Sequence, residues 1–148
     1  GEACHFIDLM IFITGSLVES VNMSVLGKKS NENTDNAIIS IKFRNGSQGV
    51  INYFANGSKK YPKERIEIYS QNKTLVIDNF KKTQGYGFKG FSILKTKLDK
   101  GHVSQFKSFL NSVEKGTSPL IPFEEIYNSS KAVLCAIESL KSKSTINI

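Results

Sequence analysis

Arginine is nearly missing from a chain that is otherwise basic. The 148 residues carry 20 Lys+Arg against 13 Asp+Glu, a net charge of +7, yet Arg44 and Arg65 are the only arginines. Arginine grips phosphate through a bidentate fork, whereas lysine is a solvated point charge. Most of these lysines are therefore expected on the solvated surface, and a dedicated nucleic-acid module is disfavoured. Cysteine is equally scarce. Cys4 and Cys135 lie far apart among apolar residues, which excludes a disulfide framework and suits small buried hydrophobes in a reducing, cytoplasmic setting. Two histidines, His5 and His102, have no recognised metal-ligand spacing with those thiols, so no metal site is expected. No apolar run reaches the length of a membrane span, no signal peptide opens the chain, and no internal repeat occurs. A dinucleotide loop is missing too. Gly85-Tyr86-Gly87-Phe88-Lys89-Gly90 lacks the G-x-G-x-x-G spacing, and its glycines suit close packing of aromatic neighbours in a bent sheet.

What is present is ordinary globular usage, 39% hydrophobic and 22% charged, enough to bury a core in a single domain over residues 1–148. Phe6, Leu9, Met10 and Ile13 fall at i, i+3, i+4 and i+7, one face of a helix, and Gly15 stands where a left-handed cap ends it. The period then drops to two. Val21, Met23 and Val25 alternate with polar residues, a polar loop is expected over 27–36, and Ala37, Ile39, Ile41 and Phe43 share one face of a second strand. Asn45-Gly46 predicts a two-residue hairpin turn with both residues at positive φ, returning through a third strand over 48–54. An irregular connection covers 55–64. Residues 65–69 and 74–78 form another hairpin around Gln71-Asn72-Lys73, and residues 81–98 read as strand, bend, strand.

The end of the chain is helical. Val103, Phe106, Phe109, Leu110 and Val113 mark one amphipathic helix stopped at Gly116. Pro119 and Pro122 bracket an extended link. Ile126, Val133, Leu134, Ile137 and Leu140 mark the next helix, with Glu124 and Glu125 in its first turn, where the helix dipole favours carboxylates. The class is α+β: an open, mainly antiparallel sheet with helices on one face. Ile38, Ile51 and Val76 have the opposite parity from Ile39, Val50 and Ile77, so both sheet faces are expected to be partly apolar. Loops of the same chain could cover the second face, or a subunit interface could.

His5 and Asp8, three residues apart on a helix, share one stretch of surface. A carboxylate there can fix the imidazole tautomer and support proton transfer near neutral pH; the imidazole could equally cap the helix start or satisfy a buried carbonyl. Cys4 points about 100° away from His5, so a thiol–imidazole dyad is not expected. Asn56, Lys59 and Lys60 in the 55–64 connection are candidates for holding an anionic ligand, or belong to a solvated link. The chain opens on glycine with a helix almost at once, which suggests a start inside a longer protein.

The order of these motifs is informative. Gly1-Glu2-Ala3-Cys4-His5-Phe6-Ile7-Asp8-Leu9 resembles the H-x-x-D helix start of the glucose–fructose oxidoreductase/inositol dehydrogenase (Gfo/Idh/MocA) family. The strands over 37–54 with their Asn-Gly turn, the segment ERIEIYSQNKTLVID, the F-x-x-F pair Phe106 and Phe109, and the stretch from Pro119 to Leu140 are similar to that family as well. The resemblance implies an antiparallel, dihydrodipicolinate-reductase-like C-terminal domain. Its NAD- or NADP-binding Rossmann partner would lie upstream and outside this chain. It also implies hydride transfer between nicotinamide and a hydroxyl of a sugar, nucleotide sugar or cyclitol, with His5 as acid/base or hydroxyl contact and Asp8 orienting it. Many members carry aspartate four residues before the histidine; here Gly1 stands there, and Glu2 is the candidate substitute. A homo-oligomer through the sheet is implied, with no membrane and no nucleic acid as partner. The chain alone is expected to turn nothing over. From the residues by themselves, an anionic-ligand or RNA-binding module and a non-catalytic assembly domain also stay open.

Overall fold

The computed structural model describes residues 2–27, 34–99 and 101–148. Most of the loop expected over 27–36 lies outside them. The chain divides into two compact units, one formed by Gly1–Asn56 and Glu114–Ile148, the other by Gly57–Val113. The class is α+β with antiparallel pairing, as the alternation of periods implies, and the strands hydrogen-bond in two four-stranded sheets rather than one run.

The first unit holds α1 (Ala3–Thr14), β1 (Val18–Val25), β2 (Asn36–Phe43) and β3 (Gln48–Phe54), then α3 (Phe123–Ser142) and a short β8 (Ile146–Asn147). Its sheet runs β3-β2-β1-β8. The C-terminal strand is too short to leave a periodic signal; it pairs with Ser20 and Val21 of β1. Ala37, Ile39, Ile41 and Phe43 are all buried on one face of β2. Register places Ile51 opposite Ile39, and Val21 opposite Ile41, so Ile51 belongs to the core face and not to the opposite one as parity within β3 suggested. The outward face keeps Ile38, Val50 and Phe54 among Ser20, Asn22, Ser24, Ser40 and Asn52. It is therefore partly apolar, though less so than expected.

Two helices cover the core face. In α1 the fully buried residues are Ile7 and Ile11, with Ala3, Phe6 and Met10 partly packed against the core. Ile13 is exposed, so the buried stripe is rotated from the one expected: an almost uniformly apolar helix offers several faces, and contact with β3 and α3 selects one. Gly49 of β3 makes the approach possible, because a Cβ there would meet Met10 Sδ at 2.7 Å. Gly15 ends the helix at φ 59°, its N–H donating to the Ile11 carbonyl.

In α3 the stripe is shifted likewise. Ile126 and Leu134 are exposed, while Asn128, Ser129, Ala132, Cys135, Ala136 and Ser139 are buried. Small side chains let the helix lie close to β1, and two polar ones bond its backbone. Asn128 Oδ1 accepts the Val18 N–H at 2.8 Å while Nδ2 donates to the Val18 carbonyl at 3.1 Å. Ser139 Oγ accepts the Met23 N–H at 3.1 Å and donates to the Ser144 carbonyl at 2.6 Å. The β1–β2 register slips between Val18 and Ser20, so the Asn128 amide acts as a strand neighbour beside an irregularity.

The β2–β3 turn differs from expectation. Only Gly46 has positive φ, at 85°; Gly46 N–H donates to the Phe43 carbonyl and Phe43 N–H to the Ser47 carbonyl, a three-residue loop with a glycine bulge. Asn45 is recruited elsewhere: its Nδ2 donates to the Thr14 carbonyl at 3.1 Å, satisfying an end of α1.

The second unit contains β4 (Arg65–Ser70), β5 (Lys73–Asp78), β6 (Lys82–Tyr86) and β7 (Ile93–Lys95), ordered β4-β5-β6-β7, and most of α2 (His102–Lys115). The β4–β5 turn places both Gln71 and Asn72 at positive φ, so the paired left-handed turn occurs here rather than at Asn45-Gly46. Ile66, Ile68, Leu75 and Ile77 share one half-buried face. Gly85 is needed on that face, since a Cβ would lie 2.5 Å from the Phe91 ring. The α2 helix ends at Gly116 with positive φ, as expected, but buries none of its described residues.

Replacing Asn128 by leucine keeps the number of side-chain heavy atoms and their branching and leaves the Val18 N–H and carbonyl buried without partners. The expected cost is about 3 kcal/mol, read as a lower urea midpoint at unchanged slope.

Candidate functional site

The residues singled out from sequence divide between the two units. Glu2, His5 and Asp8 lie on α1. Glu2 is the N-cap residue, and its carbonyl accepts the His5 N–H at 3.1 Å. His5 and Asp8 are exposed on the side of the helix away from Ile7 and Ile11. They share that surface as their spacing requires, although no hydrogen bond joins their side chains. Phe12, seven residues beyond His5, continues the same outward stripe at 80% exposed. An imidazole, a carboxylate and a phenyl ring thus face outward from a helix whose other side is anchored in the core. Such a group can take or give a proton and pack on a ligand's apolar face.

Asn56 closes the first unit, its backbone N–H donating to Asn36 Oδ1 at 3.1 Å. Lys59 and Lys60 belong to the second unit, exposed in the connection that follows. The structure brings Glu2, His5 and Asp8 onto one helix and leaves the two lysines in the other unit. Among the described residues no group of three or more His, Cys, Asp or Glu side chains is arranged to hold a metal ion.

One polar network was missed in the sequence. On β4, Arg65 Nε donates to Glu67 Oε1 at 2.9 Å, and Tyr69 Oη donates to Glu67 Oε2 at 2.5 Å. Their spacing at i, i+2 and i+4 puts all three on one face of the strand; the period-two signal marks that face, but hydropathy does not show that its polar side chains bond one another. The Tyr69 hydroxyl and the Arg65 guanidinium hold the Glu67 carboxyl below its ordinary value of 4.5. The same bond raises Tyr69 above its usual 10.0.

The GFO/IDH/MocA C-terminal domain model matches residues 2–76. The chain belongs to the GFO/IDH/MocA family. In this GFO/IDH/MocA chain the match takes in α1 with His5, all of β1 to β4 and most of β5. No curated protein sequence matches the chain. Among solved structures, levoglucosan dehydrogenase in complex with NADH and levoglucosan superposes with a TM-score of 0.80 at 17% identity, over 100% of this chain and 49% of that one. An oxidoreductase from Agrobacterium radiobacter, in complex with NAD+, L-tartaric acid and magnesium, gives 0.81 at 16% identity, over 99% and 48%. UDP-N-acetylglucosamine 3-dehydrogenase from Acidithiobacillus ferrooxidans gives 0.74 at 15% identity, over 94% and 45%. At these identities the likeness is one of fold. The chain spans about half the length of these structures.

Because the folded pKa of Glu67 is depressed, its contribution to stability is present above about pH 4.5 and lost as pH falls through the folded value. Tyr69 works in the opposite sense: its contribution is present below about pH 10 and lost as pH rises through its raised value. In an NMR titration the Glu67 carboxyl is expected to move upward in both Tyr69→Phe and Arg65→Ala. An unmoved midpoint in both variants would show the network to be absent in solution.

Proposed function

We propose that this chain is the substrate-binding and assembly half of an NAD(P)-dependent oxidoreductase. Its substrate would be a sugar, nucleotide sugar or cyclitol hydroxyl. The observation that carries the reading is family membership joined to the placement of His5, which faces outward from a helix locked into the core. The named dehydrogenases of the same fold, each about twice as long, support it.

No dinucleotide cradle fits the described residues. The Gly85–Gly90 segment connects β6 towards β7 rather than opening a helix; Gly85 backs onto Phe91, and a Cβ on Gly87 would lie 2.6 Å from the Asn72 carbonyl. The nicotinamide is assigned to a Rossmann domain outside this chain, and NAD or NADP is selected there. What this chain's own residues do is narrower. The His5 imidazole accepts the proton of the reacting hydroxyl or donates it in reverse. Asp8, about one turn on, orients the ring once substrate is bound, and Glu2, beside the Gly1 that occupies the family aspartate's position, is the candidate substitute for that carboxylate. Asn56, in the same unit, is a further candidate contact for the substrate, and Lys59 and Lys60, in the other unit, are candidates for an anionic group. The outward face of the first sheet, with Ile38, Val50 and Phe54, is the surface for a homo-oligomer.

His5→Ala in the intact protein is expected to lower kcat by about a hundredfold or more, with Asp8→Asn less severe. Reduction of NAD or NADP across a panel of sugars, nucleotide sugars and cyclitols measures both. Absence of turnover in the unaltered protein with every member of the panel would refute the enzymatic reading.

A further inference from the structure

The helix of the second unit shows its apolar side to solvent. In α2, Val103, Phe106, Phe109, Leu110 and Val113 recur at i, i+3, i+6, i+7 and i+10, one helical face. All five are exposed, from 42% at Leu110 to 69% at Val103. The less exposed side chains are Ser108 and Ser112 on the opposite side, where Ser112 Oγ donates to the Ser108 carbonyl at 3.0 Å. Among the described residues no strand packs along α2. An amphipathic helix normally buries its apolar face. This stripe runs about 15 Å along the axis and exposes on the order of 500 Å², with Lys107 and Glu114 on its border. A patch of that size marks an interaction surface.

A second copy of this chain suits the stripe poorly. Two copies joined through it would bury about 1,000 Å² in all, below the roughly 1,200–2,000 Å² of stable association. Each would also bring up a unit with twelve basic against four acidic side chains, +8, to face its like. A surface tethered in the same polypeptide is free of both limits. Tethering supplies an effective concentration in the millimolar range, and interfaces between domains of one chain begin at about 600 Å². Its charge, moreover, is not bound to have the same sign. The solved structures that superpose on the whole of this chain each contain a further half of about equal length.

We infer that α2 is the seat of the other half of the intact polypeptide, which presents an apolar surface grooved to take Phe106 and Phe109. That half is the one to which the nicotinamide is assigned above, so the docking rests on that reading. Docking there supplies apolar contact to a unit that has no fully buried residue among those described. The serine side of the helix stays with this chain, and the aromatic side is covered by the other half.

In the intact protein the photo-crosslinker p-benzoylphenylalanine is placed at Phe106, at Phe109 or, as a control on the polar side, at Asn111. Crosslinked peptides are then mapped by mass spectrometry, with light and heavy isotope preparations mixed to separate crosslinks within one polypeptide from those between two. Positions 106 and 109 are expected to crosslink within one polypeptide to residues outside this chain, and position 111 to lose those products. Crosslinks to the second sheet, residues 65–95, would overturn the docking by placing the helix on its own unit. So would crosslinks between two polypeptides, equal products from all three positions, or none. Amide hydrogen exchange gives a second reading. Over residues 103–113 it is expected to run about a hundredfold faster or more in Phe106→Ser/Phe109→Ser than in the unaltered protein, with exchange at Ile7 and Ile11 unmoved. Equal exchange in the two proteins would overturn the docking as well. Cofactor reduction without the expected crosslinks removes the docking and leaves the oxidoreductase reading; the crosslinks without cofactor reduction by any substrate do the reverse.

Discussion

The Asn128 amide joins the two layers of the first unit. A primary amide presents one acceptor and one donor at the spacing of a peptide group, so it can replace a strand neighbour, and here it takes both backbone groups of Val18. Val18 is fully buried and sits beside a slip in the β1–β2 register; without this partner its N–H and carbonyl would be sealed from water unpaired, at a cost no apolar contact recovers. Ser139 repeats the device eleven residues later, three helical turns along the same side of α3, at Met23. Between these anchors the helix presents alanine, serine and cysteine, so it can lie close enough for both bonds to form.

That anchorage determines where α1 is held. The helix packs on α3 and on β3, where Gly49 leaves space for Met10. With Ile7 and Ile11 committed inward, rotation about the helix axis is no longer free, and His5, Asp8 and Phe12 must face out. The core fixes the helix that carries the His5 ring and leaves the ring accessible, as the proposed proton transfer requires.

The second unit is organised differently. It has no fully buried residue among those described, and its polar order lies on the surface in Arg65–Glu67–Tyr69. With twelve basic side chains against four acidic ones, most of its lysines have no carboxylate to pair with inside the unit. A unit that gains little from burial and carries strong self-repulsion invites ligand or partner contacts. A covering surface would supply the apolar contact and counter-charge that the unit does not provide for itself.

The α+β class, the order of elements, the Gly15 and Gly116 helix stops and the family were legible in the chain, because each depends on periods and caps spanning a few neighbouring residues. The family was legible because its motifs fall in order along the chain. Which face of each helix is buried was not. In α1 apolar residues occur all round, and in α3 the buried stripe is largely alanine, serine and asparagine, which hydropathy scores as a solvent face. The Asn45-Gly46 turn was located correctly and its geometry was not, since Asn45 is drawn away by the Thr14 carbonyl far along the chain. Local periodicity could name the elements; long-range contacts chose their faces, because a face is defined only by what lies against it.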